Sequence, residues 1–492
     1  MPLKRYKFVV VGGGSAGIIS ATYLKKYWGD EVEVVLLYDR SIPGIGVGES
    51  LTPIIYDYLN YVGITRDELV ENVNATVKLG LKFKGWTGKG SEYIHTFTEP
   101  NQDYTTLDYN VTSAYDIINN QYEYDITYDD FYFDQCKIPG EENANQSLHI
   151  DAVEFSKYAE EKFKDDLTII DGNVQEVVRD GEDITHLVLK DGQVVEGDFF
   201  VDASGFKSIL FNNLDVEWED KSDWLPLDRC IPNPLPYKFD EQPPYTTAEA
   251  SDEGWILQVP LSDRWGTGYL YSSKFCSDEQ AFKNFEKFIN VNYDTTLNNT
   301  EKVLKFKSGY WKEQWVGNCI AVGLSSGFTE PLEATNIHHT IFQIQEFTRM
   351  FNFKVFDYDV RIYNNTMNKF YEDVYLYLRF CYANGRKDTD FWKYMNDNTP
   401  KEVVEIEEKI SNDIINFSSF RGGYMFSQGN FTKVAYGLGK IDKKRYKEIL
   451  EKRNMYNQAK SNSSECKTIK SKNRITSVSH KEYINRILGK IE

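Results

Sequence analysis

The sequence has no apolar run that approaches the ~20 residues needed to span a bilayer. A membrane-spanning role is therefore not expected. It also lacks any excess of positive charge: 56 Lys and Arg stand against 75 Asp and Glu, a formal net charge of −19. That balance disfavours nucleic acid and anionic membranes as partners, while allowing a local basic funnel toward an anionic ligand. Paired-cysteine motifs are missing. The six cysteines (Cys136, Cys230, Cys276, Cys319, Cys381, Cys466) are scattered without a CxxC and read as free thiols of a reducing cytosol. The six histidines show no HxxxH or HExxH spacing, so no metal site is expected. The opening MPLKRYKF runs straight into an apolar strand and reads as carrying no signal peptide. A cytoplasmic location follows. No internal repeat is visible.

What is present is enough for a large core: 492 residues, 41% hydrophobic and 15% aromatic. One large catalytic unit with inserted elements is expected. Its organising stretch is FVVVGGGSAG, Phe8 to Gly17. Four apolar residues lead into glycines at 12, 13, 14 and 17, then into IISATYLKKY with helical spacing. This is strand, tight turn, helix. Gly12 permits the turn, Gly14 lets the backbone approach a pyrophosphate, and Gly17 lets helix and strand pack. The pyrophosphate would rest on the free N–H groups of the first helical turn, at the positive end of the helix dipole.

A second strand, EVEVVLL, ends at Tyr38-Asp39. Either Asp39 reaches the ribose hydroxyls or Tyr38 packs on the adenosine. The loop IPGIGVGESLTP (42–53) offers backbone donors at Gly44, Gly46 and Gly48, and Pro53 starts a helix. In ATVKLGLKFKGW (75–86), Val77, Leu79, Leu81 and Phe83 alternate with Lys78, Gly80, Lys82 and Lys84. That spacing predicts one strand with three lysines on one face, which is ordinarily a solvated face. Residues 100–135 read as a lid or insertion. Asp151 N-caps a helix through Phe163, and Asp191-Gly192 is a hairpin turn. Asp202-Ala203-Ser204-Gly205 closes a strand with a second loop able to lie against a nucleotide. GWILQVP (254–260) and RWGTGYLYSS (264–273) form a hairpin. CIAVGLSSGFTEPLEATNIHHTIFQIQEF (319–347) is strand, loop and helix, with free N–H groups expected around Glu333 to Asn336. Helices are predicted over 277–291, 356–380 and 386–415. The polar end reads as mobile from about Lys460, with a short helix at 480–488.

At this point the residues resemble a family. GGGSAG (12–17), IGVGESLTP (45–53), the lysine strand (75–86), GWILQVP (254–260), NCIAVGLSSGFTEPLEAT (318–335) and RKDTDFW (386–392) are similar to flavin-dependent halogenases of the tryptophan-halogenase type. The likeness covers about residues 5 to 400, and the lysine strand together with GFTEPLEAT is its most specific part. The Asn- and Tyr-rich composition also resembles a virus-borne member, which would place the protein in a host cytoplasm. The chain departs from the family signature G-W-x-W-x-I-P: Leu257 replaces the second tryptophan and Val259 the isoleucine.

The resemblance implies an α/β fold with a Rossmann-type FAD-binding domain of glutathione-reductase-like architecture. An inserted β-sheet and loop substrate lobe and a helical C-terminal region complete it. The FAD module would come mainly from 1–60, 150–212 and 305–350. The substrate lobe would come from 61–149, 213–304 and 351–455, and 456–492 would be a polar, mobile tail. FAD, as FADH2, would contact Gly12, Gly14, Ser15, Ala16, Gly17, Asp39, Gly46, Val47, Gly48, Glu49, Asp202, Ser204, Gly205, Gly323 and Leu324. Oxygen and a halide (chloride, bromide or iodide) would complete the reactants.

The family's lysine matches Lys78 and its glutamate Glu333. Thr335 and Asn336 match the pair whose backbone N–H groups hold the halide, with Asn336 in place of a small residue. Hypohalous acid would pass to Lys78, which hydrogen-bonds it or forms a haloamine, and burial lowers a lysine pKa and favours the second route. Glu333 would hydrogen-bond the electrophile or take the arenium proton. Its alternative is a first-turn acid stabilised by the helix dipole. His338 and His339 are expected only to pack. The substrate would be an aromatic or other electron-rich small molecule, with room left for a homo-oligomer. No second nicotinamide fingerprint is present, so a separate flavin reductase would supply electrons. A flavin monooxygenase and a non-catalytic flavin-binding protein are the alternatives.

Overall fold

The computed structural model describes residues 5–42, 44, 48–97, 109–123, 130–140, 146–236, 242–299, 301–414 and 425–491. The chain divides into two compact units, 1–75 with 150–228 and 305–371, and 76–149 with 229–304 and 372–492. Among the described residues no helix is long and apolar enough to cross a membrane.

The first unit is built on a six-stranded sheet. Its order is Trp315–Val316, Cys319–Ala321, Phe199–Asp202, Tyr6–Val11, Val32–Tyr38 and Thr168–Asp171, parallel except for the outermost Trp315–Val316. The apolar run Phe8 to Val11 is buried throughout, as a central parallel strand covered on both faces requires. Val11 lies level with Leu37 and Asp202, and Asp202 with Ala321. The loops that follow these strands therefore leave one edge of the sheet, where such folds bind ligands. Behind them Phe8, Trp28, Phe199, Trp315, Phe347 and Phe351 form a contiguous aromatic core, with Phe8 stacked on Trp28 at 5.1 Å. Fully burying one such ring contributes roughly 1.5–3 kcal/mol. The second strand starts at Val32, because Gly29–Glu31 form a short 3-10 turn.

The second unit carries a sheet in which Arg229–Pro232, Arg264–Tyr271, Gly254–Pro260, Tyr245–Ala250, Gly80–Lys84 and Glu92–Thr96 lie in that order. Gly254–Pro260 is central and every residue in it is buried. Helix Asp278–Tyr293, capped by Ser277, packs Phe285, Ile289 and Tyr293 on Trp265, Tyr269 and Tyr271. The helix predicted over 356–380 runs Asp357–Cys381. The single helix predicted over 386–415 is two, Asp390–Asp397 and Lys401–Asn412, because Pro400 cannot continue the first and instead precedes the second.

Two further stretches differ from expectation. The stretch 75–86 is not one strand: Thr76–Lys78 pairs with Ser147–Ile150, while Gly80–Lys84 pairs with Glu92–Thr96 and Tyr245–Ala250. Residues 456–491 are helix Tyr456–Ile475, strand Ser477–Ser479 and helix His480–Ile487, rather than a mobile tail. Their polar side chains find polar partners. Ser463 donates to Asp116 at 2.5 Å, Lys470 pairs with Glu123 at 2.7 Å, and Ala459 and Cys466 of the same helix are buried.

Candidate functional site

Gly12, at φ 127°, donates its N–H to Leu37 O at 2.9 Å. A Cβ there would lie 2.1 Å from Ala203 O, and one at Gly17 would lie 1.8 Å from Gly12 O. Gly13 lies under the Tyr38 ring, 2.4 Å from where its Cβ would be. Gly14 differs from all three: it is exposed, and a Cβ would meet nothing within 4 Å. It caps helix Ser15–Trp28 without any side-chain bond, and no acidic residue lies in the first turn. The N–H groups of that turn, beginning at Ser15 and Ala16, have no intrahelical acceptor. Open space over an uncapped helix start is the donor set a pyrophosphate needs, so the residues present fit a dinucleotide.

Asp39 accepts from Ser41 N at 2.9 Å, Ser41 Oγ at 2.5 Å and Asn173 Nδ2 at 2.9 Å, which hold its carboxyl down at about 2. Tyr38 donates its hydroxyl to Glu160. Asp202 is fully buried and its carboxylate is used internally. It accepts from Ser204 N and Oγ at 3.0 and 2.6 Å, and from Leu210 N and Phe211 N at 2.7 and 3.0 Å. It shapes the loop that carries Ser204 and Gly205 and presents no free carboxylate to a ligand. Gly323, at φ 59°, donates its N–H to Gln343 Oε1 at 2.9 Å. A Cβ on it would reach within 2.7 Å of Ala16 Cβ, so glycine there keeps this loop against the fingerprint helix, with Leu324 half-buried beside it.

Gly46 and Val47 lie outside the described residues. Gly48 is buried at φ 88°, and burial pushes the Glu49 carboxyl up to about 7. Thr52 Oγ1 bonds His338 Nδ1 at 2.8 Å. Burial drives His338 down to about 4 and His339 well below its ordinary value, so both rings are neutral near pH 7. The Thr52–His338 link ties the 48–53 loop to the second helix start. Two adjacent histidines at 338 and 339 were its only trace in the sequence.

That helix runs Thr335–Met350, so its first-turn N–H groups fall at the later part of the expected stretch Glu333 to Asn336. Pro331–Glu333 form a 3-10 turn and Ala334 takes φ 60°. Glu333 is therefore ahead of the helix, 2% exposed, and is not a first-turn acid. Thr335 is buried and its Oγ1 bonds Thr329 Oγ1 at 2.8 Å, while Asn336 Nδ2 folds back to Thr329 O at 3.3 Å. The backbone N–H groups of Thr335 and Asn336 stand in the first turn of this helix, where no acidic side chain lies.

In the second unit, Lys78 is fully buried, with Nζ 4.5 Å from the Phe97 ring centroid. Its strand is pinned by Thr76, whose Oγ1 bonds Pro260 O at 2.6 Å and His149 Nδ1 at 2.9 Å. His149 Nε2 continues to Thr246 at 2.9 Å. Burial first, and then the positive charge of Lys78, hold His149 well below its ordinary value. Lys82 instead pairs with Glu92 at 2.9 Å. The lysines do not share one environment. Leu257 is flanked across the sheet by Ala248 and Gly268, so both neighbours are small.

The chain matches the family described as tryptophan halogenase over residues 7–454. It is 30% identical to tryptophan 6-halogenase SttH of Streptomyces toxytricini, over 79% of this chain and 80% of that protein. The SttH structure superposes with a TM-score of 0.82, at 26% identity, over 97% of this chain and 99% of that one. Tryptophan 7-halogenase RebH of Lentzea aerocolonigenes is 28% identical over 79% of this chain and 78% of its own. A tryptophan halogenase structure from Shewanella frigidimarina shares the fold at a TM-score of 0.88, at 21% identity, over 99% of this chain and 98% of that one. A match spanning this much of the chain settles its kinship: the chain belongs to the tryptophan halogenase family and is a flavin-dependent halogenase, an enzyme that works with FADH2, O2 and halide.

Proposed function

We propose that this enzyme halogenates an electron-rich aromatic small molecule through Lys78 and Glu333. When bound at the glycine cradle, reduced FAD with O2 supplies the oxidising equivalent that turns halide into hypohalous acid. The backbone N–H groups of Thr335 and Asn336 hold the halide beforehand, at the positive end of their helix. Lys78 receives the hypohalous acid by hydrogen bonding from its ammonium, or as a haloamine when deprotonated. Glu333 takes the proton released from the ring, or orients the electrophile.

The observation that carries this reading is the complete burial of Lys78 against Phe97, beside a neutral His149. A lysine on a solvated strand face would not be placed so. The small neighbours of Leu257 support a substrate site more permissive than one for a single indole. The lack of a second nicotinamide fingerprint supports a separate reductase. The acidic charge and the scattered cysteines without a CxxC support a cytoplasmic setting, and the Asn- and Tyr-rich composition supports a host cytoplasm and a virus-borne source. The test is incubation with reduced FAD, O2, bromide and a panel of phenols, anilines and indoles, read by mass spectrometry. Brominated products are expected. Hydroxylated products alone would favour a monooxygenase, and no turnover a passive flavoprotein.

A further inference from the structure

The segment 456–491 lies beyond residues 7–454, over which the family match runs. It nevertheless reaches the strand of Lys78. His480 is fully buried. Its Nε2 accepts the backbone N–H of Val77 at 2.9 Å, and its Nδ1 donates to Gln242 O at 3.0 Å. The two contacts together require a neutral ring with its proton on Nδ1. Val77 is the residue immediately before Lys78.

Thr76–Lys78 is an edge strand, hydrogen-bonded along one side to Ser147–Ile150 with Val77 opposite Leu148. The other side of an edge strand offers backbone groups that must find partners when buried. Here a side chain from the far end of the sequence supplies the acceptor. The segment is itself held firmly. His480 N donates to Cys136 O at 3.0 Å, and Ser477–Ser479 pairs antiparallel with Lys137–Pro139. Ser479 caps the last helix through Glu482 N. Val478 and Tyr483 pack into the cluster formed by Val77, Leu79 and Ile138.

We propose that the C-terminal segment is a brace for the reacting lysine, and that His480 is its positioning residue. This rests on the role of Lys78 proposed above. Without the imidazole the Val77 N–H is buried and orphaned, and the strand relaxes toward another acceptor. Lys78 Nζ moves with it, and a shift of about 1 Å at a reacting group can cost roughly 100-fold. His480 acts through Val77 and touches no reactant. The effect is therefore on the fate of the oxidant and not on its formation.

The experiment uses the full chain with reduced FAD, O2, bromide and an aromatic substrate. It measures oxygen consumed, hypobromous acid caught by a scavenger in solution, and brominated product. For His480→Ala the expected result is flavin oxidation within about twofold of wild type, product per oxygen at least tenfold lower, the missing oxidant recovered in the scavenger, and an unchanged substrate KM. His480→Gln, whose amide can accept and donate, should recover at least half of the lost coupling. The brace is overturned if His480→Ala keeps wild-type product per oxygen. It is equally overturned if His480→Gln is no better than His480→Ala at equal thermal midpoints, or if neither variant folds, since His480 is then merely structural. Should Lys78→Ala itself keep its product yield, the reading of Lys78 falls whatever His480 does. Inactive Lys78→Ala beside a normally coupled His480→Ala removes the brace alone.

Discussion

Two helix starts in the first unit invite comparison. Ser15–Trp28 and Thr335–Met350 both begin without a side-chain cap and without an acid in the first turn. Both therefore present bare N–H groups at the positive end of a dipole. They differ in what stands before them. Gly14 is extended and open, with nothing within 4 Å of a would-be Cβ. Ala334 is left-handed, and Thr335 behind it is buried and tied to Thr329. The same electrostatics thus stand behind an open helix start at Gly14 and a more enclosed one at Ala334, the places proposed for pyrophosphate and halide. What distinguishes the two helix starts is the space before them, not the dipole.

The strongest way to break that comparison is to fill the open end. Gly14→Val places a branched side chain where phosphate oxygens would sit. FAD binding, followed by flavin fluorescence, should be abolished while the thermal midpoint stays near wild type. Normal binding would contradict the cradle. Charging the closed end is the next largest change. Asn336→Asp adds a negative charge beside the proposed halide seat, so the halide KM should rise tenfold or more with FAD affinity unchanged. The same substitution should stabilise the helix by about 0.3–1 kcal/mol through its dipole. Asn336→Gly, which keeps the main-chain donor, should leave the halide KM within about threefold. Equal effects from the two substitutions would mean that the side chain is the ligand.

A smaller effect is expected at the substrate face. Leu257→Trp places a larger ring between the small neighbours Ala248 and Gly268, and should narrow the product range of an aromatic panel by a few-fold in the folded protein. An unchanged range would separate residue 257 from substrate choice. The smallest effect concerns pH. His338 titrates near 4 in the fold and near 6.5 unfolded, so the unfolded chain binds more protons between those values. Its contribution is full above about 6.5 and is lost as pH falls toward 4. Glu49, raised to about 7, contributes with the opposite sign over about 4.5 to 7. His338→Gln should therefore shrink the fall in thermal midpoint between pH 7 and pH 5 by a degree or two. An unaltered slope would place the acid sensitivity elsewhere.

The fingerprint unit was legible because its signals are local. Phe8 to Gly17 encodes strand, turn and helix within ten residues, and the register of Val11 with Leu37 and Asp202 follows from parallel pairing. Lys78, Glu333, Thr335 and Asn336 could be singled out only through the family resemblance, because alternation alone put Lys78 and Lys82 on one solvated face. What separates them is tertiary: Leu79 breaks the strand, so Lys78 and Lys82 answer to different partners. The role of Asp202 was hidden for a related reason. Its acceptors face Leu210 and Phe211, which periodicity does not connect to it. The C-terminal segment misled because its Ser, Asn and Lys content looks disordered, yet Ser463 and Lys470 meet Asp116 and Glu123 across a long loop of sequence.

Lys78, with Lys82 as its control, carries the proposed mechanism most directly. Wild type, Lys78→Ala and Lys82→Ala should be given reduced FAD, O2, bromide and an aromatic acceptor, with oxygen uptake and brominated product followed together. Lys78→Ala should bind FAD, consume oxygen at close to the wild-type rate, and lose product by two or more orders of magnitude, since positioning an electrophile is worth several kcal/mol. Lys82→Ala, which removes only a partly exposed ion pair, should keep most of its product. Near-normal product from Lys78→Ala, or equal losses from both lysines, would contradict the mechanism.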